Sequence, residues 1–321
     1  MVDYSTYNPV GSQERTKQLQ WYEQPAFRQQ GTNPVYKHIG INSAYNVGFN
    51  IAHKETRIVG SRRQYSDRKL MEEGTVSITY EMSNDGGTVL PRYGILDPIG
   101  TGTMARPLSF LEEVTFPGGV VRYRQFNDCI TENITFAFER DFVITQDFYS
   151  SDITTFMTLA QLQTALTLGT GTPQFAAALT GEPWNHLDHE TVPPNTGSSV
   201  TVSGDTFLIE RMSVEVANNL RKQNPLGYSQ TRYISAGNKD VTGTITCYVI
   251  EAQVMVDHVR SFDSNTITLK IKEQTTPGDV SLTVTGAKFN NFSDAVEAGS
   301  NDWSLIDVPF TASDVTLTQS P

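Results

Sequence analysis

The densest run of metal-ligating side chains is His186-Leu187-Asp188-His189-Glu190. Two histidines three positions apart, together with a carboxylate, could hold zinc. HExxH spacing is absent, however, and no third ligand stands nearby in sequence. Pro183 and Trp184 mark the run as loop, so the expectation is a pH-responsive polar surface and no metal site. Nucleophilic and phosphate-binding chemistry is equally thin. The chain holds no GxSxG elbow, no GxxxxGK[ST] loop and no GxGxxG after a strand. Gly100-Thr101-Gly102-Thr103 lacks the lysine that a phosphate loop requires. Cys129 and Cys247 lie in strand-like windows and read as buried structural thiols. Glu72-Glu73 and Glu112-Glu113 are adjacent pairs whose side chains diverge in a strand, so solvated charge is expected of both. Trp21, Trp184 and Trp303 read as packing anchors. Neither an enzyme nor a bound cofactor is expected.

Length and charge bound the rest. The 321 residues are 38% hydrophobic and 18% charged, enough for packed cores in two domains or one large domain. No stretch approaches the ~18 apolar residues of a membrane span, so no membrane insertion is expected. The start, MVDYSTYNPVGSQERTKQ, has no apolar h-region, and two cysteines make no disulfide framework; both fit synthesis in a reducing cytoplasm. Without a secretory signal, the sequon Asn133-Ile134-Thr135 has no glycosylation role. The net charge is −11 and no Lys/Arg run exceeds two, which argues against tight binding to a phosphate backbone. An acidic wall would instead keep a passing polyanion mobile.

Alternation at period two dominates, the signature of half-buried strands. It appears at Val76/Ile78/Tyr80, Ile134/Phe136/Phe138, Met212/Val214/Val216, Ile267/Leu269/Ile271 and Val280/Leu282/Val284. Asn84-Asp85-Gly86-Gly87, Pro117-Gly118-Gly119 and Pro277-Gly278-Asp279 separate these runs as turns. Helical spacing is confined to Asp152 to Leu168 and Ala252 to Phe262. Residues 1–35 read as an extended arm. Residues 153–204 form an insertion with one helix, and its part from 169 on, holding GTGTP and TVPPNTGSS, reads as loop.

A shift of 167 positions superposes the chain on itself. It lays Val47 and Phe49 on Val214 and Val216, Gly60 on Gly227, and Ser77-Ile78-Thr79 on Thr244-Ile245-Thr246. With a small drift, Pro117-Gly118-Gly119-Val120 meets Pro277-Gly278-Asp279-Val280. Phe126-Asn127-Asp128 meets Phe289-Asn290-Asn291, and Phe148 to Asp152 meets Phe310 to Asp314. The fold class expected is mainly β: two similar sandwich or barrel-like domains in tandem, 36–152 and 205–321, each with a short flanking helix.

The second copy runs SVEVANNLRKQNPLGYSQTRYISAGNKDVTGTIT, then a short helix, then VSLTVTGAKFNNF and IDVPFTASD. In this order of features it resembles the tail tube proteins of tailed phages and tailed archaeal viruses, over nearly all of 205–321. Through the repeat the resemblance reaches 36–152, where Gly74 to Thr79 replaces VTGTIT. It implies units that form rings whose inner strands join in one barrel around a lumen, with the rings stacking into a tube. Two units per chain then imply trimers with pseudo-sixfold symmetry, serving as the major tail tube of a virion and as conduit for double-stranded DNA, a non-specific transient cargo. The implied partners are other copies of the chain and the tail sheath, tape-measure and baseplate or terminator proteins. Closure into rings would also satisfy sheet edges that otherwise aggregate.

Stacking needs complementary upper and lower surfaces. The polar loops expected at 53–74 and 220–241 are candidates to reach the next ring, through Arg62, Arg63, Arg68 and Lys69 in the first and Arg232, Lys239 and Asp240 in the second. The competing expectation for these loops is a solvated surface. For the whole chain it is a tandem β-sandwich binding module, or another tail or baseplate component, recognising carbohydrate or a host surface.

Overall fold

Backbone pairing in this protein follows the alternation of its side chains. In the computed structural model, which describes residues 17–25, 34–57, 64–81, 89–95, 107–116, 118–139, 142–166, 174–175, 199–207, 209–223, 231, 233–235, 237–248, 252–261, 263–272, 279–290 and 305–319, the fold is mainly β. The first half holds β1 (Lys17–Glu23), β2 (Val35–His38), β3 (Ile41–Arg57), β4 (Gln64–Glu81), α1 (Val89–Gly94), β5 (Leu108–Phe116), β6 (Val120–Phe138), β7 (Phe142–Ser150) and β8 (Asp152–Ile153). Then come α2 (Leu159–Ala165), β9 (Gln174–Phe175), β10 (Ser199–Val202) and β11 (Asp205–Phe207). The second half holds β12 (Ile209–Ala217), β13 (Arg221–Gln223), β14 (Tyr233–Ser235), β15 (Asp240–Tyr248), α3 (Ala252–Ser261), β16 (Asn265–Lys272), β17 (Asp279–Phe289), β18 (Leu305–Ala312) and β19 (Asp314–Gln319).

The halves use one succession of antiparallel pairings. β3 bonds β4, β4 bonds β7, β7 bonds β6, β6 bonds β5 and β8, and β5 bonds β1. In the same order β12 bonds β15, β15 bonds β18, β18 bonds β17, β17 bonds β16 and β19, and β16 bonds β10. Registers coincide as well. Val47 faces Val76 and Val76 faces Phe148; Val214 faces Gly243 and Gly243 faces Phe310.

β6 and β17 each pass from one layer to the other. β6 bonds β5 through its first part and β7 through its second, and the chain bends between them at Asp128 (φ 55°). The bend in β17 falls at Gly286 (φ 68°), 158 positions later. Left-handed backbone in mid-strand turns the strand and re-aims its side chains. Phe110 of β5 meets Phe148 of β7 edge to face at 4.8 Å, which shows the layers folded over each other. Counted from these bends, Phe289 stands in the place of Thr131, since both pair with the phenylalanine opposite: Thr131 with Phe148, Phe289 with Phe310. The sequence match of Phe126 with Phe289 followed a shared Phe-Asn dipeptide instead of the ladder.

Four further expectations are corrected. Residues 53–57 and 64–74 are strand where loop was expected, because β3 and β4 continue as antiparallel arms as far as Arg57 and Gln64; ladder bonds are made by the backbone and need no apolar alternation. The helix placed at 152–168 starts only at Leu159. Thr154 and Met157 first donate their amides to Gln125 and Tyr123 of β6, and a Thr158/Gln161 capping box then opens α2. α1 lies outside the two stretches of helical spacing, and Pro91 is in its first turn, where a missing N–H costs nothing. Within the segment read as an arm, β1 pairs along its whole length with β5, and Trp21 is buried with its indole N–H on His38 O at 2.9 Å.

A Cβ at Gly243 would sit 2.3 Å from Phe310 Cζ and 2.4 Å from Ser213 O, so Gly243→Ala should cost ~1–3 kcal/mol by overpacking. A urea midpoint equal to wild type would refute that reading of β15.

Candidate functional surface

The strands β3, β4, β7, the second part of β6, β12, β15 and β18 form one continuous antiparallel layer across both halves. Its inner face is apolar: Ile78, Ile144, Phe136, Val214, Ile245 and Val308 are all fully buried. The other face is built from hydroxyls and acids. One row across it reads Thr79, Thr145, Thr135, Glu215, Thr242, Thr311. The next reads Ser77, Asp147, Asn133, Ala217, Asp240. Thr79 and Thr145 hydroxyls meet at 3.2 Å. Of the cations on this face, Arg211 is held by Asp307 (3.6 Å) and by Thr246 Oγ1 (3.0 Å), and Lys288 of β17 follows Thr311 in the first row. Glu81, Asp147, Glu215 and Asp240 leave the face net acidic.

The seam between halves is β6 against β12, from Met212↔Phe138 to Ala217↔Asn133. Past its end, Asn218 donates its backbone N–H to Glu132 O (2.9 Å) and its side-chain amide to Gly94 O (2.7 Å) and Thr131 O (3.2 Å). Among the described residues Asn218 Oδ1 is buried without a hydrogen-bond partner. Lys222 reaches Glu132 at 3.4 Å and lies 3.8 Å over the Tyr149 ring. Tyr149 donates to Glu73 (3.0 Å) and accepts from Thr231 (2.5 Å). Burial and the Glu73 carboxylate beside it push its phenol well above the usual range, against the bond to Thr231. The β13–β14 excursion is thereby pinned sideways onto the first half.

The opposite margin is open. Among the described residues β3 bonds only β4, whereas its counterpart β12 is bonded on both sides. Phe49 is 50% exposed where Val216, 167 positions later, is 0%. Beneath this margin Arg124 binds Glu112 (2.9 and 2.6 Å) and lies between the rings of Phe126 and Phe156, and Tyr45 of β3 donates to Glu112 at 3.3 Å. Glu112 is 1% exposed, so the solvated role expected of it is corrected. Counting outward from the Pro117-Gly118-Gly119 turn would have placed it opposite Arg124.

Of the residues singled out for inter-ring contact, Arg62, Arg63 and Arg232 lie outside the described residues, as do His186 to Glu190. Arg68 and Lys69 are in β4, opposite Lys54 and His53. Lys239 is occupied within the chain, by Asp314 and by Ile95 O at 3.4 Å. Asp240 accepts from the Asn219 amide at 2.7 Å. Among the described residues no three His, Cys, Asp or Glu side chains are grouped to hold a metal ion, and no helix is long and apolar enough to cross a membrane.

No protein-family model and no curated protein matches the chain. Among solved structures it is similar to the sheath/tube terminator of an extracellular contractile injection system (PVC) in the extended state, at 14% identity and a TM-score of 0.34, over 40% of this chain and 98% of that one. The extended sheath–tube complex of such a system matches at 14% and 0.34, over 41% and 94%. The tube-terminating cap of the anti-feeding prophage matches at 12% and 0.32, over 42% and 99%.

Glu112→Gln should lower stability by ~2–3 kcal/mol, less than the ~3–5 of a fully buried pair, because Arg124 keeps some water contact; denaturant unfolding measures it. Burial also raises the phenols of Tyr36, Tyr45 and Tyr80 above their ordinary value, as it does Tyr149. The unfolded chain ionises its tyrosines near pH 10 while the folded one holds these protonated, so their contribution is whole below pH 10 and lost as pH rises beyond it. Ultraviolet titration should show a class of phenols ionising only on alkaline unfolding.

Proposed function

We propose that this chain is a structural, non-catalytic subunit of a virion tail or phage-tail-like particle, the major tail tube protein, in which three copies close into a ring of six similar modules and rings stack into a tube. The observation that carries the reading is the continuous layer: two modules with the same pairing order are joined edge to edge through β6 and β12, leaving the β3 margin at one end of the row and the second part of β17 at the other. A sheet with an open margin and a self-similar seam propagates until it meets its own end. The β-rich fold fits, and the resemblance read from 205–321 points the same way. The two halves are on this reading a tandem duplication, with 36–152 and 205–321 as its copies.

Four layer strands per module (β3, β4, β7 and β6, then β12, β15, β18 and β17) make ~24 in a ring of three chains. At ~4.8 Å per strand and a ~40° tilt the perimeter is ~150 Å and the diameter ~48 Å. With ~5 Å taken on each side for side chains, a lumen of ~38 Å remains, wide enough for a double helix. The hydroxyl and acid face would line it. Asp147, Glu215 and their neighbours repel phosphate, and short Thr and Ser side chains leave little to grip, so DNA would pass without adsorbing. Sheath, tape-measure and baseplate or terminator proteins are the partners such a tube requires.

Electron microscopy of the purified protein should show hollow rings or filaments of uniform width built from three chains per layer. A species that sediments as a monomer at every concentration and gives no rings would overturn the proposal. In assembled material, Asp147→Lys with Glu215→Lys should retain double-stranded DNA at low salt and release it as salt rises, where wild type retains none.

A further inference from the structure

The arms of β3 and β4 beyond the layer, Ile51–Arg57 with Gln64–Met71, were considered above as a reach toward the next ring. We infer that they instead dock sideways, within the ring, on the β17–β18 end of a second copy of this chain. The inference rests on the tube reading and names the partner of its open margin.

The template is inside the chain. The excursion that follows β12 does not project along the layer; it turns across the seam onto the other half. Lys222 and Thr231 settle on Glu132 and Tyr149, Asn218 bonds Glu132 O, and Lys239 reaches Ile95 O. The β3–β4 arms leave the first half from the same place, because β3–β4 and β12–β15 share their register. What the first half lacks is a neighbour on that side. The apolar side chains of β3 show the vacancy: Phe49 is half exposed, and Tyr45 and Val47 are only partly buried, where Met212, Val214 and Val216 are covered.

Counting positions gives the contact. Asn218 less 167 is Ile51, and Glu132 plus 158 is Asn290, so Ile51 of one copy should lie against Asn290 of the next. Asn290 follows β17, is exposed and bonds Pro309 O of β18. Charge favours the same occupant. Residues 53–74 carry six Lys/Arg and four Asp/Glu, whereas residues 205–321 carry nine and fourteen.

Two experiments test the inference on the full chain. In the variant Ile51→Cys/Asn290→Cys, oxidation of assembled material should give covalent dimers and trimers on a denaturing gel, while each single variant gives none; Cys129 and Cys247 are fully buried and stay out of the reaction. Assembled double variant that remains uncrosslinked, or that links only within one chain, overturns the inference. In a second variant a two-residue Asn-Gly turn joins Ala52 to its ladder partner Met71 and removes the arms beyond that pair, with near-ultraviolet circular dichroism confirming a native fold. Loss of rings supports sideways docking. Single rings that no longer stack would mean that the arms reach along the axis, and unchanged filaments that they reach nothing; either refutes the inference and leaves the tube standing. Wild-type protein without rings would instead remove the tube reading itself.

Discussion

Backbone hydrogen bonds at the margin of a sheet cannot be made by the sheet alone, and that constraint organises this molecule. Within the chain it is met by placing the second part of β6 against β12, so that the layer of one half runs into the layer of the other without a break. Among the described residues the strands from β4 through to β18 then have a neighbour on each side, and β3 and the second part of β17 stand at the two ends of the row. At β3 the row of N–H and C=O groups stops, beside side chains whose counterparts in the second half are buried. A margin of that kind is an aggregation hazard if left free and an assembly surface if it has a defined partner.

The seam that joins the halves is more polar than the core on either side of it. Asn218, Lys222, Tyr149, Thr231 and Glu132 form a connected set, and β7 carries the buried Gln146, whose amide donates to Thr131 of β6 and which accepts from Tyr80. Buried polar groups cost free energy unless they are bonded, so a set that is nearly all satisfied holds one orientation better than an apolar contact would. The orphaned Asn218 Oδ1 is the exception. At the open margin the chemistry differs: Ile51 stands where Asn218 does and Glu55 where Lys222 does. Copies joined there would meet through a seam of different composition, and this separates joining within a chain from joining between chains.

The strands themselves were legible because period-two runs such as Met212, Val214, Val216 and Val280, Leu282, Val284 report burial on one face directly. The register that the two halves share was legible for the same reason, through Val47 and Val214 and through Ile78 and Ile245. Glu112 was not, since adjacency to Glu113 says nothing of what lies across the hairpin. Nor were the arms of β3 and β4, whose polar residues lack alternation while their backbones pair all the same. The start of α2 at Leu159 instead of Asp152 was decided by β6, which takes the amides that a longer helix would have used.

What the amino-acid order settles by itself is local: which residues alternate, where Pro and Gly turn the chain, and that two stretches carry one pattern at an offset of 167. These depend on neighbours a few positions away. Which margins meet, which polar side chains are buried at the seam and which margin stays open were decided only when strands far apart in sequence came to lie side by side. Edge pairing is a contact between distant backbones, whose N–H and C=O groups are the same in every residue but proline and so leave no mark in the sequence.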